Sequence, residues 1–133
     1  MIVVDVNIVI YLVLRGEFTA WAELVAEKDD DWRAPRLVNS EMLNVLSGYI
    51  RRGTINLDAA MHAFREGDTA IRGFVAVDAW RVLELVRSSA CTSYDCEYVA
   101  AAEALQVPLI TNDRKIVNNF PALAMTMNDF LAS

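Results

Sequence analysis

Four carboxylates stand where the chain changes from one secondary-structure element to the next. Asp5 closes a short apolar run, and Asp113 comes just after the apolar run at residues 107–111. Glu41 and Asp95 lie among residues that recur at the spacing of an apolar helix face. Carboxylates gathered at one place repel each other unless a cation binds among them, and hard oxygen ligands in this number suit Mg²⁺ or Mn²⁺. The residues therefore predict a metal site able to act on a phosphate ester.

The elements that must position these acids alternate between strand and helix. Apolar, β-branched runs predict strands at residues 1–4, 32–35, 73–77, 107–111 and 123–126. Helical spacing and end signals predict helices at residues 7–15, 19–28, 38–52, 57–64, 79–86, 92–106 and 114–119, with a final turn at 129–131. This alternation is typical of an α/β fold with a parallel sheet covered by helices on both faces.

A parallel sheet of this kind forms its sites at the carboxyl ends of its strands. Asp5 and Asp113 both follow strands, and the helices that carry Glu41 and Asp95 begin near the same edge. We therefore expect the four carboxylates to lie together. In that arrangement at least one of them should have a raised pKa, and Glu41, on an apolar helix face, is the residue we expect to show it.

Each acid except Glu41 also has a purely structural explanation. Asp5 and Asp113 could each cap the helix that follows it. The segment from Thr92 to Asp95 fits a capping box, in which the acid serves only to stabilise the helix start. The sequence leaves both explanations open for these three acids.

Composition limits the class of protein. The chain has 133 residues, 55% of them hydrophobic, which predicts one domain over residues 1–133 and excludes a disordered chain. Its 12 Lys and Arg against 18 Asp and Glu give a net charge of -6, which excludes nucleic-acid binding by bulk positive charge. An enzyme that meets nucleic acid through a metal site and a local basic patch stays possible. The candidate basic residues are Arg15, Arg51, Arg52, Arg114 and Lys115.

Cysteine content and apolar run length indicate the compartment. Cys91 and Cys96 are too few for a disulfide-stapled scaffold or a four-thiolate zinc site, so we expect reduced thiols. The longest apolar run, at residues 8–14, is far shorter than the roughly 20 residues that a membrane span needs. The first residues lack the charged start of a signal peptide. We expect a cytoplasmic protein with no membrane contact.

The motifs around the acids resemble those of the PIN-domain family. The family's first motif resembles residues 1–7, MIVVDVN, and its second resembles Ala34-Pro35, residues 40–46 (SEMLNVL) and residues 51–53 (RRG). Its third and fourth motifs resemble residues 93–95 (SYD), with the Ala-rich helix that follows, and residues 108–113 (PLITND). Order and spacing agree over nearly the whole chain, and the size and layout look most like the VapC-type toxins of prokaryotic toxin–antitoxin pairs.

The resemblance implies a three-layer α/β/α sandwich with a central, mostly parallel sheet and a metal-dependent ribonuclease activity. The residues that match the family's four acids are Asp5, Glu41, Asp95 and Asp113. Asn7 matches the small polar residue that supports the first acid, and Thr111 matches the hydroxyl of the T-x-D motif.

On this reading Asp5 and Asp95 bind Mg²⁺ or Mn²⁺ directly. Glu41 and Asp113 complete or tune the shell, orient the attacking water, or hold a second ion. The resemblance also implies a homodimer and a cognate antitoxin protein. Single-stranded RNA is the expected substrate, because an unpaired chain can present its backbone to a recessed acidic site.

Two other functions stay open at this point. A phosphatase of the haloacid-dehalogenase type also begins with a strand that ends in Asp, but it normally carries a second Asp two residues later, where this chain has Asn7. A non-catalytic PIN-like interaction module is the other alternative. The presence of all four acids counts against it.

Overall fold

A sheet of five parallel strands forms the centre of the protein. The structure is a computed structural model that describes all 133 residues. The strands are β1 (Ile2–Val4), β2 (Trp32–Ala34), β3 (Ile71–Phe74), β4 (Leu109–Ile110) and β5 (Ala124–Met125), in the spatial order β3-β2-β1-β4-β5. All four neighbouring pairs are parallel, as the sequence predicted. β1 therefore lies between β2 and β4, in the middle of the sheet.

Eight helices connect and cover the strands. They are α1 (Val6–Val13), α2 (Thr19–Lys28), α3 (Leu37–Arg51), α4 (Leu57–Ala70), α5 (Ala79–Arg87), α6 (Ser93–Leu105), α7 (Arg114–Asn119) and α8 (Met127–Ala132). The predicted end signals act as expected at two of them. The side chain of Asn56 caps α4, and Gly53, with a φ of 73°, adopts the left-handed conformation just after α3.

The order of the strands in the sheet explains why helices cover both of its faces. From β1 to β2 to β3 the chain moves toward one edge of the sheet, and from β3 it crosses back to β4 and then β5. Because parallel crossovers are right-handed, this reversal places α1–α4 on one face and α5–α7 on the other. The result is the predicted three-layer sandwich.

The core is built on the central strand. Ile2, Val3 and Val4 are all buried, as expected for a parallel strand covered on both faces. On one face of the sheet, α6 packs against β1 and β4. Its small residues Ala101 and Ala102 are fully buried and allow the helix to approach the strands closely. This packing fixes α6, and with it Asp95, relative to the end of β1.

The third strand lies earlier in the chain than the predicted residues 73–77. Ile71 is the C-cap of α4 and also pairs with Trp32 of β2, so β3 begins at residue 71 rather than at the predicted residue 73. Beyond Phe74 only the Val75 N–H still bonds to β2, through the Ala34 carbonyl at 2.9 Å. Periodicity shows an apolar run but does not show where its pairing partner ends.

No helix of the protein is both long and apolar enough to cross a membrane.

Candidate active site

The strand order creates a crevice at the centre of the sheet. β2 and β4 lie on opposite sides of β1. The helices that connect the strands on these two sides cover opposite faces of the sheet. Ligands of open α/β sheets bind at such a switch point, beyond the carboxyl ends of the strands. Asp5 follows β1 and Thr111 follows β4, so both residues lie at this crevice.

Asp5 is the most enclosed of the candidate acids, with 6% of its surface exposed. Its Oδ1 atom caps α1 by accepting hydrogen bonds from the backbone N–H groups of Asn7 at 2.9 Å and Ile8 at 3.4 Å. Its Oδ2 atom accepts a hydrogen bond from the Thr111 hydroxyl. Burial raises the pKa of Asp5 to about 6 from the ordinary 3.8, even though these hydrogen bonds act in the opposite direction.

Asp113 is joined to Asp5 through Thr111. The Asp113 N–H donates to Thr111 Oγ1 at 3.0 Å, and that hydroxyl donates in turn to Asp5. The Asp113 carboxylate caps α7 by accepting from the Lys115 N–H at 2.9 Å. Thr111, which is fully buried, thus connects the ends of β1 and β4.

Glu41 reaches the site from the second turn of α3, beside the buried residues Val38 and Met42. Its Oε1 atom accepts a hydrogen bond of 2.6 Å from the hydroxyl of Tyr98, a buried residue on α6. Burial raises the pKa of Glu41, and the negative charge of Asp95 adds to this effect. The predicted rise at Glu41 is therefore present, and it is accompanied by the rise at Asp5.

Asp95 occupies the third position of a complete capping box. It accepts from the Thr92 N–H at 3.2 Å, while its own N–H donates to the Thr92 hydroxyl at 3.1 Å. Its side chain is 23% exposed, and Lys115 Nζ lies 4.0 Å from its Oδ2 atom. The capping geometry considered for Asp5, Asp95 and Asp113 is therefore present at all three acids.

Electrostatic effects connect the acids at this edge of the sheet. Glu41 contributes to the raised pKa of Asp5, and Asp95 contributes to that of Glu41. However, no three Asp, Glu, His or Cys side chains are arranged as a complete metal site in this structure. Asp95 is turned toward Thr92, and Glu41 is held by Tyr98. A shared cation site would require these side chains to move inward.

The residues present fit a divalent cation in their chemistry. All the donors are carboxylate oxygens, which hard cations prefer. Asp5 is buried and forms no ion pair with a Lys, Arg or His side chain, so its negative charge has no compensating partner in the chain. A cation bound at Asp5 would remove the cost of burying that charge.

Sequence reasoning missed Tyr98 as a functional residue. Tyr98 lies three residues after Asp95, and so on the neighbouring part of the same helix. That spacing was the available signal, but the partner Glu41 is 57 residues away and could not be identified without the fold. Asn7 acts on Asp5 through its backbone N–H, while its side chain is exposed to solvent.

Comparisons with known proteins found one matching family and two similar proteins. The PIN domain family matches residues 2–120. A curated relative from Pyrobaculum aerophilum, named Ribonuclease VapC3, is 29% identical over 126 residues, covering 92% of this chain and 96% of its own.

A solved structure shares the fold. The crystal structure of PAE2754 from Pyrobaculum aerophilum superposes with a TM-score of 0.75 at 19% identity, over 98% of this chain and 93% of that one. The family match extends over nearly the whole chain and includes every strand except β5. The chain therefore belongs to the PIN domain family.

Proposed function

We propose that this protein is a ribonuclease that hydrolyses phosphodiester bonds in RNA with a divalent cation, Mg²⁺ or Mn²⁺, and that residues 1–133 form its single nuclease domain. The observation that carries the proposal is the buried, uncompensated carboxylate of Asp5 at the switch point of the sheet, with Glu41 close enough to affect its pKa. Family membership and the relative named Ribonuclease VapC3 support the same activity.

The four acids have different roles in the proposed site, according to their positions. Asp5 is fixed by Thr111 and two backbone N–H groups, so it supplies a rigid ligand. Asp95 would be the second direct ligand, and its carboxylate would have to leave the capping box to hold the cation. Glu41 and Asp113 would complete the shell or orient the attacking water, and Tyr98 sets the position of Glu41.

A bound divalent cation would polarise the scissile phosphate and make an attacking water more acidic. The chain's two thiols would be poor alternative nucleophiles, because both cysteines are buried and burial raises the pKa of both thiols. Glu41 and Asp113 would act as the bases for the proton that the water loses.

We further propose that the protein is the cytoplasmic toxin of a type II toxin–antitoxin pair, that it forms a homodimer and that an antitoxin protein inhibits the site. The name of the curated relative and the resemblance to VapC-type toxins support this assignment. Apolar side chains are available for such contacts on α4 and α5, where Leu57 is 72% and Trp80 is 73% exposed. Met61 and Trp21 are also exposed, whereas Trp32 is buried in the core.

Cleavage of single-stranded RNA by the purified protein tests the activity. We expect cleavage with Mg²⁺ or Mn²⁺, none with a chelator, and none by Asp5→Asn under any condition. Asp58→Asn, which changes an exposed acid in the first turn of α4, is the matched control and should cleave normally. Cation-independent cleavage, or an active Asp5→Asn protein, would contradict the proposal.

Two further readouts separate the alternative functions. Hydrolysis of a phosphate monoester without RNA cleavage would support a phosphatase instead. Stable RNA or protein binding without any hydrolysis would support an interaction module.

A further inference from the structure

A cavity of about 510 Å³ opens directly beside the candidate active site, between α1, α3 and the turn that joins α1 to α2. Its volume is within the range of roughly 300–1,000 Å³ that is typical of small-molecule sites. The cavity is part-open and mixed in character, with apolar side chains, phenol rings and charged groups at its walls. None of the four candidate acids lines it.

The cavity continues from the acids along two helices. Asn7, whose backbone N–H bonds to Asp5, lines the cavity together with Tyr11, one turn further along α1. On α3, Val45 and Tyr49 line it, and they follow Glu41 at intervals of four residues. Glu41 and Tyr49 are thus about 12 Å apart along the helix axis. A ligand in the part of the cavity that Asn7 lines would lie next to whatever the carboxylates hold.

Aromatic side chains give the cavity its chemical character. The Tyr11 and Phe18 rings pack at 4.9 Å between centroids with a tilt of 41°. The Arg52 guanidinium lies over the Tyr49 ring, 4.8 Å from its centroid. Of the four tyrosines, Tyr98 is the one whose hydroxyl bonds within the chain, so those of Tyr11 and Tyr49 are free to contact a ligand. Stacking surfaces with unused hydroxyls suit a nucleobase.

The third wall of the cavity is the turn between α1 and α2, which is held in place by side-chain hydrogen bonds. Thr19 is 3% exposed, and its hydroxyl accepts from the Gly16 N–H at 2.9 Å and donates to the Leu14 carbonyl at 3.2 Å. These bonds fix residues 14–19, which carry Arg15 and Glu17 to the cavity. The shape of the wall therefore exists before any ligand binds.

The charges favour a base inside the cavity and phosphates outside it. Burial raises the pKa of Tyr11, and Asp5 and Glu17 raise it further, so both carboxylates act on this hydroxyl. Glu17 lines the cavity, so a phosphate inside it would meet a negative charge whether or not a cation is bound at Asp5. Arg15 lines the cavity with 86% of its side chain exposed and its guanidinium 3.7 Å from Glu23 Oε1, and the exposed Arg52 lies over the Tyr49 ring, so both can contact an RNA backbone outside the cavity.

We infer that this cavity is the subsite for one nucleobase of single-stranded RNA, stacked on Tyr49 and Tyr11 and adjacent to the phosphate that is cut. The inference rests on the proposed ribonuclease function and assigns the residues that position its substrate. Tyr11 and Tyr49 are positioning residues for the strand, and the carboxylates remain the groups that act on the phosphate.

Binding of a labelled single-stranded RNA to the cleavage-inactive Asp5→Asn protein tests the subsite apart from the chemistry. In this background Tyr49→Ala should weaken binding by about 5- to 140-fold, the range expected for loss of one base–aromatic stack. Tyr49→Phe should retain most of the affinity, because the ring is kept. Tyr49→Leu, which preserves apolar packing without a ring, should bind as weakly as Tyr49→Ala and guards against a folding artefact.

Phe74→Ala is the matched control, because Phe74 is an exposed aromatic residue at the end of β3 that does not line the cavity. It should change the affinity by less than twofold. A scan of RNAs that each lack one base completes the test. One abasic position should weaken binding to the Asp5→Asn protein, and Tyr49→Ala should then cause no further loss with that RNA.

The outcomes separate this inference from the proposed function. If the wild-type protein cleaves RNA but Tyr49→Ala and Tyr49→Leu bind and cleave it as the parent does, the subsite is wrong and the ribonuclease assignment stands. If the wild-type protein neither binds nor cleaves RNA, both are wrong.

Discussion

The Thr111 hydroxyl donates a hydrogen bond to Asp5 Oδ2, joining two residues that are 106 positions apart in the chain. The bond spans the crevice between β1 and β4, where the strand order reverses. Thr111 also accepts the Asp113 N–H at 3.0 Å. One buried hydroxyl thus aligns two of the four candidate acids, and changing it should affect the site before it affects the fold.

Thr111→Val keeps the shape of the side chain and removes the hydroxyl. The hydrogen bond from Thr111 lowers the pKa of Asp5, so in the variant that pKa should rise beyond about 6. Loss of a hydrogen bond to a buried charged group should cost about 1.5–3 kcal/mol of stability at pH 7.5. Carbon-detected NMR of the Asp5 carboxyl and urea unfolding measure the two effects.

Thr111→Ser is the control, because it keeps the hydroxyl and loses one methyl group. It should leave the Asp5 titration near its wild-type position and cost about 1 kcal/mol. An Asp5 pKa that is the same in the valine variant and the wild-type protein would show that the hydroxyl does not serve this carboxylate.

The buried Asp5 should make the cation-free protein less stable as the pH rises. Its pKa is about 6 in the folded chain against an ordinary 3.8, so between these values the folded chain binds more protons than the unfolded chain. The free energy of unfolding should therefore fall across this window, by on the order of 3 kcal/mol from this group. Asp5→Asn should flatten that dependence and raise the thermal midpoint at pH 7.5.

Unfolding by urea from pH 4 to pH 7.5, with a chelator present, measures this effect. The asparagine side chain can still cap α1, since Asn is as good a cap as Asp. An Asp5→Asn protein that is less stable than the wild type at pH 7.5 would show that the carboxylate is not under strain from burial.

Part of this architecture could be predicted from sequence because it depends on local signals. Residues 19–28 form α2 as predicted, and the Thr92–Asp95 spacing correctly indicated a capping box. A buried parallel strand is a continuous apolar run in the sequence, so the ends of these runs predict that Asp5 and Asp113 follow strands. These features need no knowledge of which strands are neighbours.

Other features depend on tertiary contacts and could not be predicted. Helical spacing shows which residues share a face, but it does not show whether that face is covered, so Met61 fits an apolar stripe and is nevertheless 42% exposed. The bond between Tyr98 and Glu41 requires the relative placement of α6 and α3. The buried hydroxyl of Thr19 shapes a wall of the cavity through bonds that no motif signals.

Tyr98→Phe should release Glu41 without opening the core. The Tyr98 hydroxyl donates to Glu41 Oε1 at 2.6 Å, and this bond lowers the pKa of Glu41. In the variant that pKa should rise, and RNA cleavage should fall by about 10- to 100-fold, as for other residues that orient a ligand. The rate of cleavage should also become more dependent on pH in the acidic range.

Tyr94→Phe is the matched control for Tyr98→Phe. Tyr94 lies on the same helix, is 58% exposed and makes no hydrogen bond through its hydroxyl within the chain. Its cleavage rate and pH profile should equal those of the wild type. Equal rates and profiles in both phenylalanine variants would remove Tyr98 from the site.

The two roles of Asp95 can be separated by a pair of variants. Thr92→Ala damages the capping box and leaves the carboxylate, so it should cost about 0.5–2 kcal/mol and retain most of the activity. Asp95→Asn should lose activity by orders of magnitude, while its stability without metal should change by less than about 1 kcal/mol, because the loss of a favourable charge at the start of α6 is offset by the loss of repulsion with Glu41. Thermal midpoints and cleavage rates of both proteins decide between the roles. A destabilised but active Asp95→Asn protein would leave Asp95 as a helix cap alone.

Direct binding of Mn²⁺ tests the claim that the four acids share a cation. Calorimetry, supported by electron paramagnetic resonance, would be carried out on the wild-type protein, on Asp5→Asn, Glu41→Gln, Asp95→Asn and Asp113→Asn, and on the surface control Asp58→Asn. We predict that the wild type and the control bind alike and that each of the four variants binds at least about tenfold more weakly. Unchanged affinity in all four variants, or no Mn²⁺ binding by the wild-type protein with or without RNA, would contradict the account.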